Sequence, residues 1–276
     1  DHAFGQGELV GLVEPVEQHA LDPAARDVLE ARFDLLANCR TQAVDAFMAE
    51  LLGKFVVDLA GDGLLDFLHR DLEHGFLARQ IKPIEVPEGR GTRMMEHDEF
   101  PRPAITMEKL QKLNPVFREG GKVTPGNSSG VTDGAAFVVV GDRTAVEGRG
   151  VDPGFKLVDW AVVGVPPRIM GVGPVPAIQK LLDRQSLKVS DIDYYEINEA
   201  FAAVNLHAEK QLGISREITN LYGGGISIGH PPGATGVRMT ITAMHHLEET
   251  AGRYGVISMC LGAGQGMAVL IENLKR

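Results

Sequence analysis

Tyr254-Gly-Val-Ile-Ser-Met259, then Cys260-Leu261-Gly262-Ala263-Gly264, then Met267-Ala-Val-Leu-Ile271 is the stretch whose reading decides the fold. The two flanking segments are continuous apolar runs of strand length, the pattern of strands buried on both faces. Cys260 ends the first, and Gly262, Gly264 and Gly266 connect it to the second. Upstream, Asp193-Tyr-Tyr-Glu-Ile197 reads as a short strand. Phe201, Val204, Ala208 and Leu212 then recur at helical spacing, so Asn198-Glu199-Ala200-Phe201 occupies a strand-to-helix turn. Between these blocks, Gly229-His230-Pro231 precedes a helix marked by Val237, Ile241, Met244 and Leu247. A side-chain amide, an imidazole and a thiol, each at the end of an apolar element, form a set suited to carbonyl chemistry.

The rest of the second half follows the same alternation. Phe155 to Val165 is a strand, Ile178, Leu181 and Leu182 mark a helix, and Ile226 to Ile228 is expected to be a short strand. The order is β-α-β-α-β-α-β-β, a layered α/β lobe. Before it, Val123-Thr-Pro-Gly-Asn-Ser-Ser-Gly-Val-Thr-Asp-Gly-Ala-Ala136 is a small-residue loop feeding a strand from Ala136 to Val140. Thr106 caps a short helix to Leu113, with Lys109 rather than Glu at the capping-box position. Gln80 to Pro87 is a strand broken by prolines, and Glu88 to Pro103 a polar loop. In the first third, Leu9 to Pro15 reads as an opening strand and turn. Pro23 to Leu36 reads as a helix with Asp22 as N-cap. Cys39 stands ahead of a helix that runs into Gly53, followed by the strand Val56-Val-Asp-Leu-Ala-Gly61.

With 276 residues the chain has room for one large or two ordinary domains, and a 44% hydrophobic content supports a sizeable core. The formal charge of −10 argues against nucleic acid or an anionic membrane as the main partner. It also means that an anionic substrate needs a local basic patch. No apolar run reaches membrane-spanning length, and no signal-peptide pattern opens the chain. Two cysteines, Cys39 and Cys260, are too few for a disulfide framework, so a reducing, cytoplasmic compartment is expected.

The Asn198-Glu-Ala-Phe201 block, the segment Asn220-Leu-Tyr-Gly-Gly-Gly-Ile-Ser-Ile-Gly-His-Pro-Pro-Gly-Ala-Thr-Gly236 and Cys260-Leu-Gly-Ala-Gly-Gln-Gly266 resemble, in order and spacing, the three C-terminal motifs of the thiolases. From about Met107 onward the resemblance is nearly continuous; before that it is patchy. The Cys39 segment resembles the family's nucleophile segment with gaps. The family writes Cys-x-Ser-Gly there, whereas Cys39-Arg40-Thr41-Gln42 has no glycine and a turn about two residues short. The chain is also shorter than the family between Gly5 and Cys39 and between Gly61 and Gly75: either it is shortened internally or the sequence omits segments.

The resemblance implies thiolase-like layered α/β lobes, βαβαβαββ and duplicated, with a reduced loop region. It places a shortened N-terminal lobe at 1–62 and 123–149, the loop region at 63–122 and the C-terminal lobe at 150–276. The implied activity is that of an acyl-CoA C-acyltransferase of fatty acid metabolism, cleaving or forming 3-ketoacyl-CoA through an acyl-cysteine. Its substrates would be acyl-CoA and coenzyme A, with no tightly bound cofactor and no metal. The assembly would be a homodimer or homotetramer. By the same resemblance Cys39 is the nucleophile, activated by its helix N-terminus, and His230 takes its proton. Cys260 removes or returns the α-carbon proton. His230 and a water held by Asn198 stabilise the enolate, and the N–H groups of Cys39 and Gly262 form a second oxyanion hole. Ser129 contacts the pantetheine arm, and Arg102 lies near the nucleotide phosphates.

Blander readings stand beside these. A lone cysteine is usually a small hydrophobe, and for Cys39 both readings remain open. Arg102 is also an ordinary surface arginine. Glu199 is assigned a structural hydrogen bond and no chemistry. The glycines near Cys260 are read as leaving room for a thioester. His245-His246 points in directions about 100° apart and is read as a solvated pair rather than a metal site. Gly223-Gly-Gly225 lacks the spacing of a nucleotide loop. The rivals are a decarboxylating ketoacyl synthase, disfavoured because Cys260 stands where those enzymes carry a histidine, and a catalytically silent acyl-CoA or lipid binder or complex subunit.

Overall fold

The computed structural model describes the backbone of Leu9–Leu12 and residues 75–102 and 104–276. The segments read around Asp22, Cys39 and Val56 lie outside the described residues. Eight strands are described: β1 (Leu9–Leu12), β2 (Ile84–Glu88), β3 (Gly91–Met95), β4 (Val139–Asp142), β5 (Phe155–Gly164), β6 (Tyr194–Ile197), β7 (Tyr254–Leu261) and β8 (Gln265–Asn273). The α-helices are α1 (Met107–Gln111), α2 (Arg143–Glu147), α3 (Pro174–Gln185), α4 (Ala202–Leu212) and α5 (Thr235–Thr250).

One mixed sheet runs β4-β1-β5-β8-β7-β6, and β2 and β3 form a separate hairpin. Among the described strands only β6 and β7 pair in parallel; β7–β8 and β5–β8 are antiparallel. The two apolar runs that decided the fold are therefore neighbouring strands, joined by the Gly262–Gly264 turn. Alternation along them sorts the core into two layers. Tyr195, Ile197, Val256, Ala268 and Leu270 point at α3 and α4 and pack with Ile178, Leu181, Leu182, Val204 and Ala208. Tyr194, Ile257 and Ile271 point the other way and pack with Met239, Ala243, Met244 and Leu247 of α5. Each fully buried aliphatic side chain contributes about 1.5–3 kcal/mol of transfer free energy.

The helix ends follow local chemistry. Pro174 starts α3, where its missing N–H costs nothing. Gly213 closes α4 in the left-handed conformation, with its N–H donating to the Glu209 carbonyl. Thr106 caps α1 by accepting from the Lys109 N–H, as its position before the helix predicts.

Several expectations need correction. Ile226–Ile228 is a turn, not a strand. The N–H groups of Ser227 and Ile228 both donate to the Gly224 carbonyl and that of Ile226 to the Glu199 carboxylate, so none is left for a sheet. The order within 155–276 is thus β-α-β-α-α-β-β. The expected loop from Glu88 to Pro103 contains β3, which a tight turn at Gly89 (φ +60°) folds back on β2. The strand expected at Ala136–Val140 lies at Val139–Asp142, the span that pairs with β1. Gly264 (φ +90°) is reserved for the chain itself: a Cβ there would lie 2.3 Å from the Val165 carbonyl oxygen. His246 is not solvated but buried, stacked on Tyr194 and hydrogen-bonded through Nδ1 to the Tyr222 hydroxyl.

The tightest seam between layers is backbone on backbone. A Cβ at Gly266 would sit 2.0 Å from the Gly173 carbonyl oxygen, so α3 begins directly against β8. Because the obstacle is main chain rather than a side-chain tip, Gly266→Ala is expected to lower stability by at least about 1–3 kcal/mol. A urea midpoint within error of the parent would contradict that seam.

Candidate active site

The site assembles where three loops meet a fourth segment. β6 ends at Ile197, and the Asn198 N–H continues its pairing by donating to the Ser258 carbonyl of β7 at 2.9 Å. That bond places Asn198 beside the end of β7, two residues before Cys260. Asn220, held at φ +48°, serves as a surrogate strand residue for Ile197: its Oδ1 accepts from the Ile197 N–H and its Nδ2 donates to the Ile197 carbonyl, both at 2.8 Å.

The segment Ser128–Val131 runs between the other two loops. Ser128 bridges Phe201 and Val131 bridges His230. The Ser129 N–H donates to Ala200 (3.1 Å), and the His230 N–H donates to Gly130 (2.8 Å). Gly229 (φ +94°) lets the chain pass Thr132, whose side chain would lie 2.4 Å from any Cβ there. Ser129 itself approaches Gly225, where a Cβ would lie 3.2 Å from the Ser129 Cβ and 3.3 Å from the Asn198 Oδ1.

The result is a direct amide–imidazole contact, Asn198 Nδ2 to His230 Nε2 at 3.4 Å. The protonation pattern follows from Thr235. Its hydroxyl donates to the Pro231 carbonyl at 2.7 Å, so its single proton is committed and it accepts from His230 Nδ1, also at 2.7 Å. With Nδ1 carrying the hydrogen, the neutral ring presents the Nε2 lone pair towards Asn198, as a proton acceptor must. Asn198 is buried, and its Oδ1 has no hydrogen-bond partner among the described residues.

Cys260, the penultimate residue of β7, is half-buried and packs against the α3–α4 core layer. Gly262 is exposed in the turn that follows. Arg102 is exposed in a loop whose Phe100 ring points its edge at Gly130, so that a Cβ on Gly130 would be 2.2 Å from the ring. Asn198, His230 and Ser129 are therefore gathered at one place, with Cys260 at the end of the strand that anchors Asn198. Cys39 lies outside the described residues. Thr235 was not singled out from the sequence; its position five residues after a histidine, at the start of a helix, was the available signal. Among the described residues no cluster of His, Cys, Asp and Glu could hold a metal ion, and His245 faces Glu248 instead.

Beneath Asn198 lies a buried acidic layer. Glu196 is fully enclosed and accepts from the Tyr194 hydroxyl at 2.7 Å. Burial raises its pKa from the ordinary 4.5 to about 7, against the opposing charge of Arg238 and the Tyr194 hydrogen bond. Glu199 is also raised, again by desolvation first.

Family models describing the thiolase N-terminal domain and the thiolase C-terminal domain match residues 69–144 and 151–273. A beta-ketoadipyl-CoA thiolase of Pseudomonas aeruginosa is 39% identical, over 99% of this chain and 67% of that protein. The mitochondrial 3-ketoacyl-CoA thiolase of Bos taurus is 45% identical, over 72% of this chain and 50% of its own length. Among solved structures, the Bacillus anthracis acetyl-CoA acetyltransferase superposes with a TM-score of 0.80 at 38% identity, covering 85% of this chain and 60% of that one. Human mitochondrial 3-ketoacyl-CoA thiolase in complex with CoA superposes at 0.77 and 36% identity, covering 84% and 58%. The chain thus spans about half to two thirds of the length of these relatives.

The acidic layer has a measurable consequence. A carboxylic acid whose folded pKa is raised stabilises the fold fully below pH 4.5. That stability is lost as the pH climbs to about 7, because the unfolded chain ionises first. Relative to Glu196→Gln, which mimics the protonated acid, the parent should lose on the order of 3 kcal/mol between pH 4.5 and 7. Urea midpoints of both proteins at pH 5 and pH 8 check this; a constant difference would refute it.

Proposed function

The chain belongs to the thiolase family, and on that premise we propose that it is an acyl-CoA C-acyltransferase exchanging acyl groups between 3-ketoacyl-CoA and coenzyme A. The observation that carries the reading is the Asn198–His230 pair, in which Thr235 holds the hydrogen on Nδ1 and leaves the Nε2 lone pair facing the Asn198 amide.

In the proposed reaction His230 Nε2 takes the proton of the Cys39 thiol, and the thiolate attacks the 3-keto carbonyl. The bond between the α- and β-carbons breaks, and its electron pair leaves as the enolate of the shorter acyl-CoA. Cys260 supplies the proton that quenches that enolate. The thiol of an incoming coenzyme A then returns a proton to Cys260 and attacks the acyl-Cys39 thioester. Cys39 leaves as thiolate and recovers its proton from His230. The imidazolium N–H and a water on Asn198 would hold the enolate oxygen, and the Cys39 and Gly262 N–H groups the tetrahedral intermediate. Ser129, beside Gly225 and Asn198, would contact the pantetheine arm, and Arg102 would meet the phosphates. The CoA complex of the human relative supports coenzyme A as substrate.

A division into a first lobe (1–62 and 123–149), a loop region (63–122) and a second lobe (150–276) belongs to the same proposal. The break between the two family-model ranges supports the last boundary. A homodimer or homotetramer in the cytoplasm completes the reading. No helix among the described residues is long and apolar enough to cross a membrane.

Incubating the chain with acetoacetyl-CoA and coenzyme A should deplete the 3-ketoacyl absorbance, and peptide mass spectrometry should find acetyl on Cys39. No depletion would turn the reading towards a silent acyl-CoA binder, and an adduct elsewhere would displace Cys39 from its role. Asn198→Ala should lower kcat about a hundred- to a thousandfold with an unchanged circular dichroism spectrum; unaltered turnover would remove Asn198 from the mechanism.

A further inference from the structure

Glu199 stands next to Asn198, and its side chain turns into the 223–228 turn. Its Oε1 accepts from Asn220 Nδ2 at 3.0 Å and its Oε2 from the Ile226 N–H at 3.2 Å. Its carboxyl carbon occupies the place a side chain at Gly224 would take: a Cβ there would lie 2.3 Å from it and 2.5–2.7 Å from its two oxygens. The triple glycine is thus shaped by a carboxylate of the same chain. Gly224 is the centre of the turn. Its carbonyl accepts from Ser227 and Ile228, its N–H donates to the Ser227 hydroxyl, and His230 follows six residues on.

We propose that Glu199 is a positioning residue: by clamping the Gly224–Ile226 turn it sets where His230 meets Asn198. The proposal rests on the assignment of His230 and Asn198 to the reaction. The demand is for two acceptors on one side chain, because two N–H groups converge on it from elements more than twenty residues away. A carboxylate satisfies both. Glutamine offers one acceptor and sets an NH2 group against the other donor, and aspartate is one methylene short. His230 is tied independently to Gly130, so the loop persists when the clamp is lost, and the proposal requires that the ring then shift against Asn198. Shifts of about 1 Å in a reacting group are worth up to about a hundredfold in rate.

Two variants test this, Glu199→Gln and Gly224→Ala, the second keeping the carboxylate and its charge but forcing it from its seat. Both should lower kcat on acetoacetyl-CoA about ten- to a hundredfold while KM stays within about twofold. Both should also shift the NMR signals of the Asn198 side-chain amide and the His230 ring nitrogens. A residue that only stabilised the fold would lower the melting temperature and leave kcat and those signals at parental values, and that result overturns the proposal. If Glu199→Gln does not fold, Gly224→Ala decides alone. If the parent itself fails to turn over acetoacetyl-CoA, the functional reading falls, and the amide and imidazole signals still decide whether Glu199 positions the pair.

Discussion

The seam between residues 128–131 and the two loops on either side is the constraint on which the candidate site depends. Gly130 accepts from His230 and Ser129 donates to Ala200, so one extended segment fixes the imidazole loop and the amide loop at the same spacing. Neither loop is part of a helix or a ladder of its own at that point, and without the seam each would carry unpaired main-chain groups. Asn198 and Cys260 stand at the ends of β6 and β7 and His230 in the loop before α5, and main-chain hydrogen bonds bring the amide and imidazole loops into register.

The polar groups around the candidate site are arranged in tiers. Outermost are the amide and imidazole, with Thr235 fixing which ring nitrogen bears hydrogen. Behind them Asn220 and Glu199 hold the backbone of both loops. Deeper still Glu196 and the Arg238 guanidinium, buried without a hydrogen-bond partner among the described residues, share an interior of low polarity. Desolvation outweighs the attraction of the arginine there and favours the neutral acid. Such a layer weakens the fold at neutral pH, a cost compatible with a site whose geometry is held by many weak contacts.

The parts of this architecture that depend on periodicity were legible in the sequence. The runs at Tyr254–Met259 and Met267–Ile271 are apolar because both faces of the sheet are covered, and Phe201 to Leu212 repeats at helical spacing because one stripe is buried. Asn198, His230 and Cys260 stood out because polar side chains ended apolar elements. What failed was whatever depends on a partner distant in sequence. Ile226–Ile228 has the composition of a strand, but a carboxylate 27 residues away takes the N–H that a strand would have used. Gly264 looked like room for a ligand, whereas the space belongs to the Val165 carbonyl. His246 looked like half of a surface pair, and only the fold shows Tyr194 and Tyr222 enclosing it.

Asn220 carries a consequence for the lifetime of the protein. An asparagine converts spontaneously to aspartate when the next residue's backbone nitrogen swings onto its side-chain carbonyl carbon. Here that nitrogen, on Leu221, is occupied by the Tyr194 hydroxyl at 3.2 Å, while both ends of the amide are bonded to Ile197. The conversion would exchange a donor for a second acceptor facing the Ile197 carbonyl and the Glu199 carboxylate. The locks that give β6 its surrogate partner therefore also shield that residue from slow chemical ageing, at a point where one lost NH2 group would set three oxygens against each other.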